Sequence, residues 1–210
     1  MPARLGLLLA FSAVAALGTP DAAVELWNGR DLAGWTVFSA DPAADPAPVW
    51  RALAGGVLRL ESKASGYLRT TATYANYRLH LEWRWPAGAP EKPNSGVILH
   101  VNGPDRIWPD GYEFQLRAGL AGQIVAFRQE LPGAPVSNGL QRAARLAPAS
   151  ELPPGEWNTA EITCRGDLLE IMVNGVRQNR IENLPVTAGA LALQLEGAPI
   201  EFRHIHLQPL

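Results

Sequence analysis

Cysteine is nearly absent from this chain, which has 210 residues and a single thiol, at Cys164. One cysteine excludes a disulfide within the chain, and the sequence has none of the Cys and His spacings that are typical of zinc sites. Cys164 lies in the alternating run AEITCRG, which is typical of a strand. A buried structural thiol is expected there, because a nucleophilic cysteine needs a basic and accessible setting.

An excess of charge of one sign is also lacking. The chain carries 18 Lys and Arg against 20 Asp and Glu, which gives a net charge of −2, and it has no basic block. Because nucleic-acid binding depends on concentrated positive charge, we do not expect nucleic acid among the partners of this protein.

A long apolar run is found only at the N-terminus, where residues 1–18 read MPARLGLLLAFSAVAALG. The run is too short for a membrane span, and one leading Arg before an apolar stretch predicts a cleaved signal peptide. Ala16-Leu17-Gly18 provides small residues for cleavage near Gly18, and no Cys follows for a lipid anchor. The mature protein is then expected to be periplasmic or secreted if the source is bacterial. The alternative is a buried N-terminal helix.

Turn-forming residues are abundant, with 20 Gly and 18 Pro between short alternating segments. Many such segments without a convincing amphipathic helix are typical of an all-β sandwich. Because 47% of the residues are hydrophobic, the chain can bury one sizeable core, and we predict a single domain over residues 24–210. Residues 128–155 have the least regular pattern and are predicted to form a long loop.

Three segments, at residues 77–85, 94–102 and 111–117, carry most of the polar chemistry. Successive side chains of a strand point to opposite faces of its sheet. The side chains predicted to face inward are Leu79, Leu81, Trp83, Trp85, Val97, Leu99, Val101, Tyr112, Phe114 and Leu116. Those predicted to face the other way are His80, Glu82, Arg84, Ile98, His100, Glu113, Gln115 and Arg117.

If these three strands are neighbours, their charged and amide side chains gather on one face. The residues expected together there are Glu82, Arg84, His100, Glu113 and Gln115. A purely structural interpretation stands beside this one. Glu82 and Arg84 could form a surface ion pair, and Glu113 and Gln115 could simply face solvent.

Two features between the strands could border a site. Asn94-Ser95-Gly96 is either a turn that enters a strand, with Gly96 allowing close backbone approach, or a polar rim for sugar hydroxyls. Trp108, in DRIWPDG, either stacks on a sugar ring or packs beneath its own loop.

Several longer stretches resemble a known family. They are LWNGRDLAGW, GYLRTTATYANYRLHLEWRW, NSGVILHV, GYEFQLR, GEWNTAEI, VNGV and ALALQLEGAPIEFRHIHLQPL. In this order, over residues 24–210, they resemble the 3-keto-disaccharide hydrolase domain family. The resemblance implies a concanavalin A-like jelly-roll sandwich of two antiparallel sheets, related to laminin G modules. The chain departs from the family at Arg117-Ala118, where members often carry Asp, and in GQIVAF, where members often have an aromatic after the turn.

The resemblance also implies an exported glycoside hydrolase whose substrate has been oxidised to a ketone at C3. Such a ketone acidifies the C2 proton, so the glycosidic oxygen at C1 can be eliminated, and addition of water then gives net hydrolysis. This route needs a base near C2, a group that stabilises the enolate oxygen, and an acid for the leaving oxygen.

The polar strand residues offer candidates for each role. Glu113 or His100 could be the base, and Glu82 could be the acid or could orient Arg84. Arg84, Gln115 or a bound cation such as calcium could stabilise the enolate, although no acidic cluster in the sequence requires a metal. Glu82 and Glu113 could instead be the two carboxylates of an ordinary glycosidase. The candidates for substrate binding are Asn94, Ser95, Gln115 and Trp108.

Two other classes of function fit the same fold. One is a carbohydrate-binding module without turnover, and the other is an interaction domain of the laminin G type. Incubation with a 3-keto disaccharide and with its unoxidised parent distinguishes these classes of function. Only an enzyme would release free sugar, and it would do so only from the keto form.

Overall fold

The computed structural model describes residues 22–41, 43, 50–61 and 64–210. These residues form the strands β1 to β16 and no helix, so none of them belongs to a helix that is long and apolar enough to cross a membrane. The signal peptide predicted for residues 1–18 lies outside the described residues.

Eight antiparallel strands form the first sheet, sheet A. In spatial order they are β14 (Val176–Ile181), β13 (Leu168–Val173), β12 (Asn158–Arg165), β6 (Tyr77–Arg84), β16 (Ile200–Pro209), β4 (Val57–Leu60) and β3 (Trp50–Leu53), with β1 (Val24–Glu25) paired to β16. The central position of β16 means that the end of the chain completes this sheet.

The second sheet, sheet B, also has eight antiparallel strands. In spatial order they are β10 (Val136–Ser137), β11 (Leu140–Ala143), β9 (Ile124–Phe127), β8 (Asp110–Gln115), β7 (Gly96–Asn102), β15 (Ala190–Leu195), β5 (Gly66–Thr70) and β2 (Trp35–Ser39). The two sheets confirm the predicted all-β, concanavalin A-like sandwich.

The main core lies between the sheets and is built by the alternation seen in the sequence. Leu79, Leu81 and Trp83 of β6 are at most 1% exposed, as are Tyr112 and Phe114 of β8. The rings of Trp83 and Phe114 meet edge to face across the core, with centroids 5.9 Å apart. Cys164 is also buried in this core, where burial raises its thiol pKa to about 12, so it is the inert structural thiol expected from its run.

Among the three segments that carry the polar residues, the alternation fails at a β-bulge in β7. The pairing of β7 with β8 shifts register between Leu99 and Asn102, and His100 has a positive φ of 52°. The extra residue rotates the strand, so His100 turns inward and Val101 turns outward, the reverse of the prediction for both. The His100 ring lies against Tyr77 and Tyr112, with ring centroids 5.9 and 6.2 Å away.

Residues 128–155 are more regular than the sequence predicted. Within them β10 and β11 form a hairpin that pairs through β11 with β9 and extends sheet B. Its turn is Asn138-Gly139, where both residues have positive φ, at 51° and 76°. An Asn-Gly pair is the standard residue choice for such a tight hairpin turn.

The loop between β7 and β8, residues 103–109, lies over the outer face of sheet B. Asp105 accepts hydrogen bonds from the Tyr67 hydroxyl and the Arg69 guanidinium, at 2.9 and 2.8 Å. Trp108 stacks on Phe127 with ring centroids 6.3 Å apart. The loop is therefore tied to strands on both sides and forms one wall of a cavity.

Candidate functional site

A cavity of about 240 Å³ opens on the outer face of sheet B. Its lining combines two carboxylic acids, two arginines, three amides and three apolar side chains. These residues are Glu113, Glu196, Arg117, Arg142, Asn94, Gln115, Gln194, Trp108, Phe127 and Leu140. Polar groups that converge beside an aromatic wall are typical of a site for a polyhydroxylated ligand.

Strand alternation places Glu113 in this cavity. Its neighbours Tyr112 and Phe114 point into the core, so Glu113 points to the outer face. Gly96 on β7 leaves the room that this side chain occupies, because a Cβ on Gly96 would lie only 2.5 Å from Glu113 Oε1. The glycine of the Asn94-Ser95-Gly96 segment therefore serves the placement of a carboxyl group.

The Glu113 carboxyl group is only 2% exposed. Burial raises its pKa from the ordinary 4.5 to about 8, and the negative charge of Glu196 adds to the shift. The charge of Arg142 and a hydrogen bond from Gln194 oppose the shift without cancelling it. Within the described chain, Glu113 Oε1 has no hydrogen-bond partner. Glu113 thus keeps its proton at neutral pH and can donate it to a ligand.

The second carboxyl group, Glu196, lies just beyond the end of β15 and is half-buried. Burial raises its pKa, while a hydrogen bond from Asn94 and the positive charge of Arg117 lower it. The Asn94 amide donates to Glu196 Oε2 at 2.5 Å. The net effect raises the pKa of Glu196 above its ordinary value, and because Glu196 is only half-buried it keeps more of its solvation than Glu113 does.

Two arginines bring positive charge to the same cavity. Arg117 is exposed at its edge, and Arg142 is half-buried on the neighbouring hairpin. Their charges lower the pKa of Glu196 and of Glu113, respectively. The cavity can therefore bind a ligand that carries or develops negative charge.

Of the predicted substrate-binding residues, Asn94, Gln115 and Trp108 line the cavity. Ser95 does not, because it is fully buried and its hydroxyl donates to the Gln194 carbonyl at 2.7 Å. Its role in the structure is to fix the strand that carries Gln194. The Trp108 ring packs on Phe127 and also lines the cavity, so stacking on a sugar ring stays a prediction.

Two predicted catalytic residues, Glu82 and Arg84, lie on the other sheet. The expectation that they share a face with Glu113 is wrong, because β6 pairs with β12 and β16 in sheet A. Glu82 accepts a hydrogen bond from Arg203 at 2.7 Å, and Arg84 donates to Glu201 at 2.6 Å. Both residues are in ion pairs, as the structural interpretation expected, but with these partners and not with each other. Their place on sheet A also rules out Glu82 and Glu113 as the two carboxylates of a glycosidase.

His100 is likewise separated from the cavity, because the bulge turns its ring into the core. It is 1% exposed, and its Nδ1 lies 3.1 Å from the Val186 carbonyl oxygen. Burial lowers its pKa, so the ring is neutral at physiological pH. A buried side chain on the inner face cannot reach a sugar on the outer face, so His100 is not a candidate base.

Sequence reasoning missed half of the cavity. The missed residues are Phe127, Leu140, Arg142, Gln194 and Glu196. Two signals could have found them. The Asn138-Gly139 turn marks the hairpin that carries Arg142, and the alternation in ALALQLE places Gln194 on the face opposite Leu193 and Leu195.

The described residues contain no group of three or more His, Cys, Asp or Glu side chains that could hold a metal ion. These residues therefore offer no cluster of carboxylates for the calcium ion considered from the fold class.

Comparisons with solved structures find the same fold in other proteins. A candidate glycosyl hydrolase from Parabacteroides distasonis has a TM-score of 0.64 and 21% identity, over 90% of this chain and 94% of its own. The carbohydrate binding module CBM66 from Bacillus subtilis has a TM-score of 0.60 and 13% identity, over 83% and 95%. A Bacillus licheniformis beta-glucanase has a TM-score of 0.60 and 13% identity, over 92% and 99%. Identities this low show a shared fold alone.

Comparison with protein families gives a more specific result. None of the curated proteins compared with the chain matches it. The family model of the 3-keto-alpha-glucoside-1,2-lyase-like domain matches residues 22–208, which confirms the resemblance seen in the sequence and supports a carbohydrate-related function. Because that match spans nearly the whole chain, this protein belongs to the 3-keto-alpha-glucoside-1,2-lyase-like domain family.

Proposed function

We propose that this protein cleaves 3-keto glycosides, such as 3-keto disaccharides, by elimination across C1 and C2 of the oxidised sugar. The observation that carries the proposal is a pair of carboxyl groups in one cavity: Glu113 is almost fully buried with its pKa raised to about 8, whereas Glu196 is half-buried and close enough to Arg117 to feel its positive charge. Environments that separate the pKa values of two neighbouring acids assign one as acid and the other as base.

The proposed reaction begins with Glu196. Its carboxylate removes the C2 proton, which the C3 ketone acidifies, and the electron pair of the C2–H bond moves to the C3 oxygen as an enolate. When the ketone re-forms, the C1–C2 double bond forms and the C1–O bond breaks. Glu113 donates its proton to the departing oxygen, so a neutral sugar leaves. Water added across the new double bond would complete a net hydrolysis.

The rest of the cavity suits a sugar. Trp108 and Phe127 supply an apolar wall for the ring, and Gln115 and Gln194 supply amides for its hydroxyls. Gln194 Oε1 is buried without a partner among the described residues, and a ligand hydroxyl could donate to it.

The direct experiment compares a 3-keto disaccharide with its unoxidised parent. We expect free sugar from the keto form alone, because the parent has no acidified C2 proton. Release from both substrates at similar rates would contradict the elimination. Binding of both without release, at high protein concentration, would instead identify a carbohydrate-binding module, the activity named for the neighbour CBM66.

The roles of the two carboxyl groups can be distinguished by changing the leaving group of the substrate. Glu113→Gln should lower kcat on the keto disaccharide by about 10³-fold, since a general acid contributes roughly that factor. A 4-nitrophenyl 3-keto glucoside, whose leaving group needs no proton, should restore most of the loss. The same substrate should not restore the kcat of Glu196→Gln, because this variant lacks the base. The matched control is Glu182→Gln, an exposed residue that directly follows β14 at the edge of sheet A. Equal restoration of both variants would contradict the assignment.

We also propose that the protein is exported, on the basis of the charge and apolar pattern of residues 1–18. The protein recovered from the periplasm or medium should begin near residue 19. An N-terminal sequence that starts at Met1 in that fraction would contradict the export signal.

A further inference from the structure

Arg142 differs from every other half-buried arginine in the described chain, because it has no carboxylate within ion-pair distance. The others all have a carboxylate oxygen no more than 3.9 Å from a guanidinium nitrogen. They are Arg59, Arg69, Arg84, Arg106, Arg145 and Arg203. The Arg142 side chain donates only a 3.4 Å hydrogen bond, from Nε to the Ser137 carbonyl across its hairpin.

Strand pairing brings Arg142 opposite Glu113 across the cavity floor. Arg142 on β11 is the Cα partner of Val125 on β9, and Val125 is the Cα partner of Glu113 on β8. Paired residues of antiparallel strands point to the same face. Two strand spacings separate the Cα atoms of Arg142 and Glu113 by about 10 Å. A sugar ring lying over Val125 would have the carboxyl group on one side and the guanidinium on the other.

The cavity leaves this positive charge uncompensated. Glu113 is neutral at physiological pH, and Glu196 is already bound by Asn94 and attracted by Arg117. Holding a partly desolvated guanidinium without a counter-ion costs free energy, so a fold keeps one where an anion binds or forms.

We propose that Arg142 is a catalytic residue that binds the C3 oxygen of the substrate and stabilises the enolate formed when the C2 proton is removed. This inference rests on the proposed function. Guanidinium N–H groups would hold the ketone oxygen in the bound substrate and bind it more strongly as it gains negative charge. The negative charge leaves the C3 oxygen when the ketone re-forms. Arg142 therefore neither gains nor loses a proton during the reaction.

The other candidates for this role are occupied or distant. Arg84 is bound to Glu201 on sheet A. The Gln115 side-chain oxygen accepts a hydrogen bond from the Arg117 backbone N–H, and an amide carries no positive charge. Arg117 is exposed at the rim, where water weakens its interaction with an anion.

Kinetics of Arg142→Gln test the role. We expect kcat on the 3-keto disaccharide to fall by about 100-fold or more, as for removal of an oxyanion donor, with KM changed by no more than about threefold. Arg142→Lys should recover part of the loss, and added guanidinium should partly restore Arg142→Ala. The 4-nitrophenyl substrate should not restore Arg142→Gln, because the enolate forms before the leaving group departs. Arg78→Gln, an exposed strand arginine of sheet A, is the matched control.

Ascorbate provides a test that does not require turnover. It is a stable ene-diolate at neutral pH, with its charge on an oxygen next to a hydroxyl-bearing carbon, like the proposed enolate. We expect ascorbate to bind the wild type and Arg78→Gln equally, and Arg142→Gln at least about 10-fold more weakly.

The two experiments distinguish failure of the inference from failure of the proposed function. If the wild type cleaves the keto substrate and Arg142→Gln keeps kcat within about threefold, Arg142 is not the enolate-binding group. If the wild type cleaves nothing, the proposed function fails. Binding of ascorbate then tests by itself whether Arg142 forms an anion site. Weaker binding to Arg142→Gln would then support an anion site at Arg142, and equal binding would overturn it.

Discussion

The outer faces of the two sheets both carry acids and bases, yet they are arranged in opposite ways. On sheet A the charges pair with each other. Glu201, only 3% exposed, accepts hydrogen bonds from Arg84 at 2.6 Å and from Arg59 at 3.3 Å. The guanidinium groups of Arg84 and Arg203 lie 4.4 and 4.1 Å from the centre of the Trp157 ring. Every one of these groups is held by protein, which is a structural arrangement.

On sheet B the corresponding groups are left open to a ligand. Glu113 is buried to nearly the same extent as Glu201, but its pKa is raised to about 8 because its neighbours do not neutralise it. Arg142 has a positive charge and no carboxylate partner among the described residues. Burial alone therefore does not identify a functional carboxyl group. What identifies it is burial without a partner, beside a cavity.

The pH dependence of stability should show the largest effect of this difference. The unfolded chain loses the Glu113 proton near pH 4.5, whereas the folded protein holds it to about pH 8. The contribution of Glu113 to the free energy of unfolding is therefore fully present below pH 4.5. It is lost as the pH rises from 4.5 to about 8. The loss is about 5 kcal/mol, since one unit of pKa difference corresponds to about 1.4 kcal/mol. Denaturant unfolding of the wild type and Glu113→Gln should give curves against pH that diverge over this window, the variant losing less stability. Parallel curves would contradict a neutral Glu113.

Glu201→Gln should show a smaller effect, on stability and not on chemistry. The change removes the shared partner of Arg84 and Arg59, both only partly solvent-exposed. We expect a loss of about 2 kcal/mol in the free energy of unfolding, less than for a fully buried pair because water screens the two arginines. The kcat on a keto substrate should stay near that of the wild type under conditions where the protein is folded. A loss of kcat as large as that of Glu113→Gln would remove the distinction between the sheets.

The smallest effect is expected for Glu82→Gln. Burial raises the pKa of Glu82, but hydrogen bonds from His204 and Arg203 outweigh burial, so its pKa lies below the ordinary value. Because both partners are partly exposed, replacement should cost about 1 kcal/mol of stability. Its kcat should match the wild type within about twofold, as for other changes outside the transition-state contacts. A large fall in kcat would contradict the exclusion of Glu82 from the candidate catalytic residues.

Sequence reasoning predicted the sandwich and the alternation of β6 and β8, because these depend on local periodicity. It placed Glu113, Gln115 and Asn94 correctly beside one another. It could not assign β6 to the opposite sheet, because the partners of a strand depend on pairing between distant segments. Glu82 is paired with Thr159 and Arg203, which are far from it in sequence.

Other parts of the site were hidden for two further reasons. The bulge at His100 adds one residue to β7, and a period-two pattern has no means of showing such an insertion. The charge state of Glu113 depends on burial and on Glu196, so it cannot be deduced from strand position alone. The resemblance suggested a class of substrate, and the structure shows which carboxyl, amide and guanidinium groups share one cavity.

The position of β16 has a consequence for the order in which the protein is made and folded. This strand is the last in the chain, yet it lies between β6 and β4 and also pairs with β1. Until β16 has paired with them, those strands keep unpaired edges and sheet A is incomplete. Pairing between the two ends of a chain is slow to form because it must first close a long loop. Sheet A therefore depends on contacts between segments that are distant in sequence, and substitutions in β16 should slow its assembly more than substitutions in the local hairpin of β13 and β14.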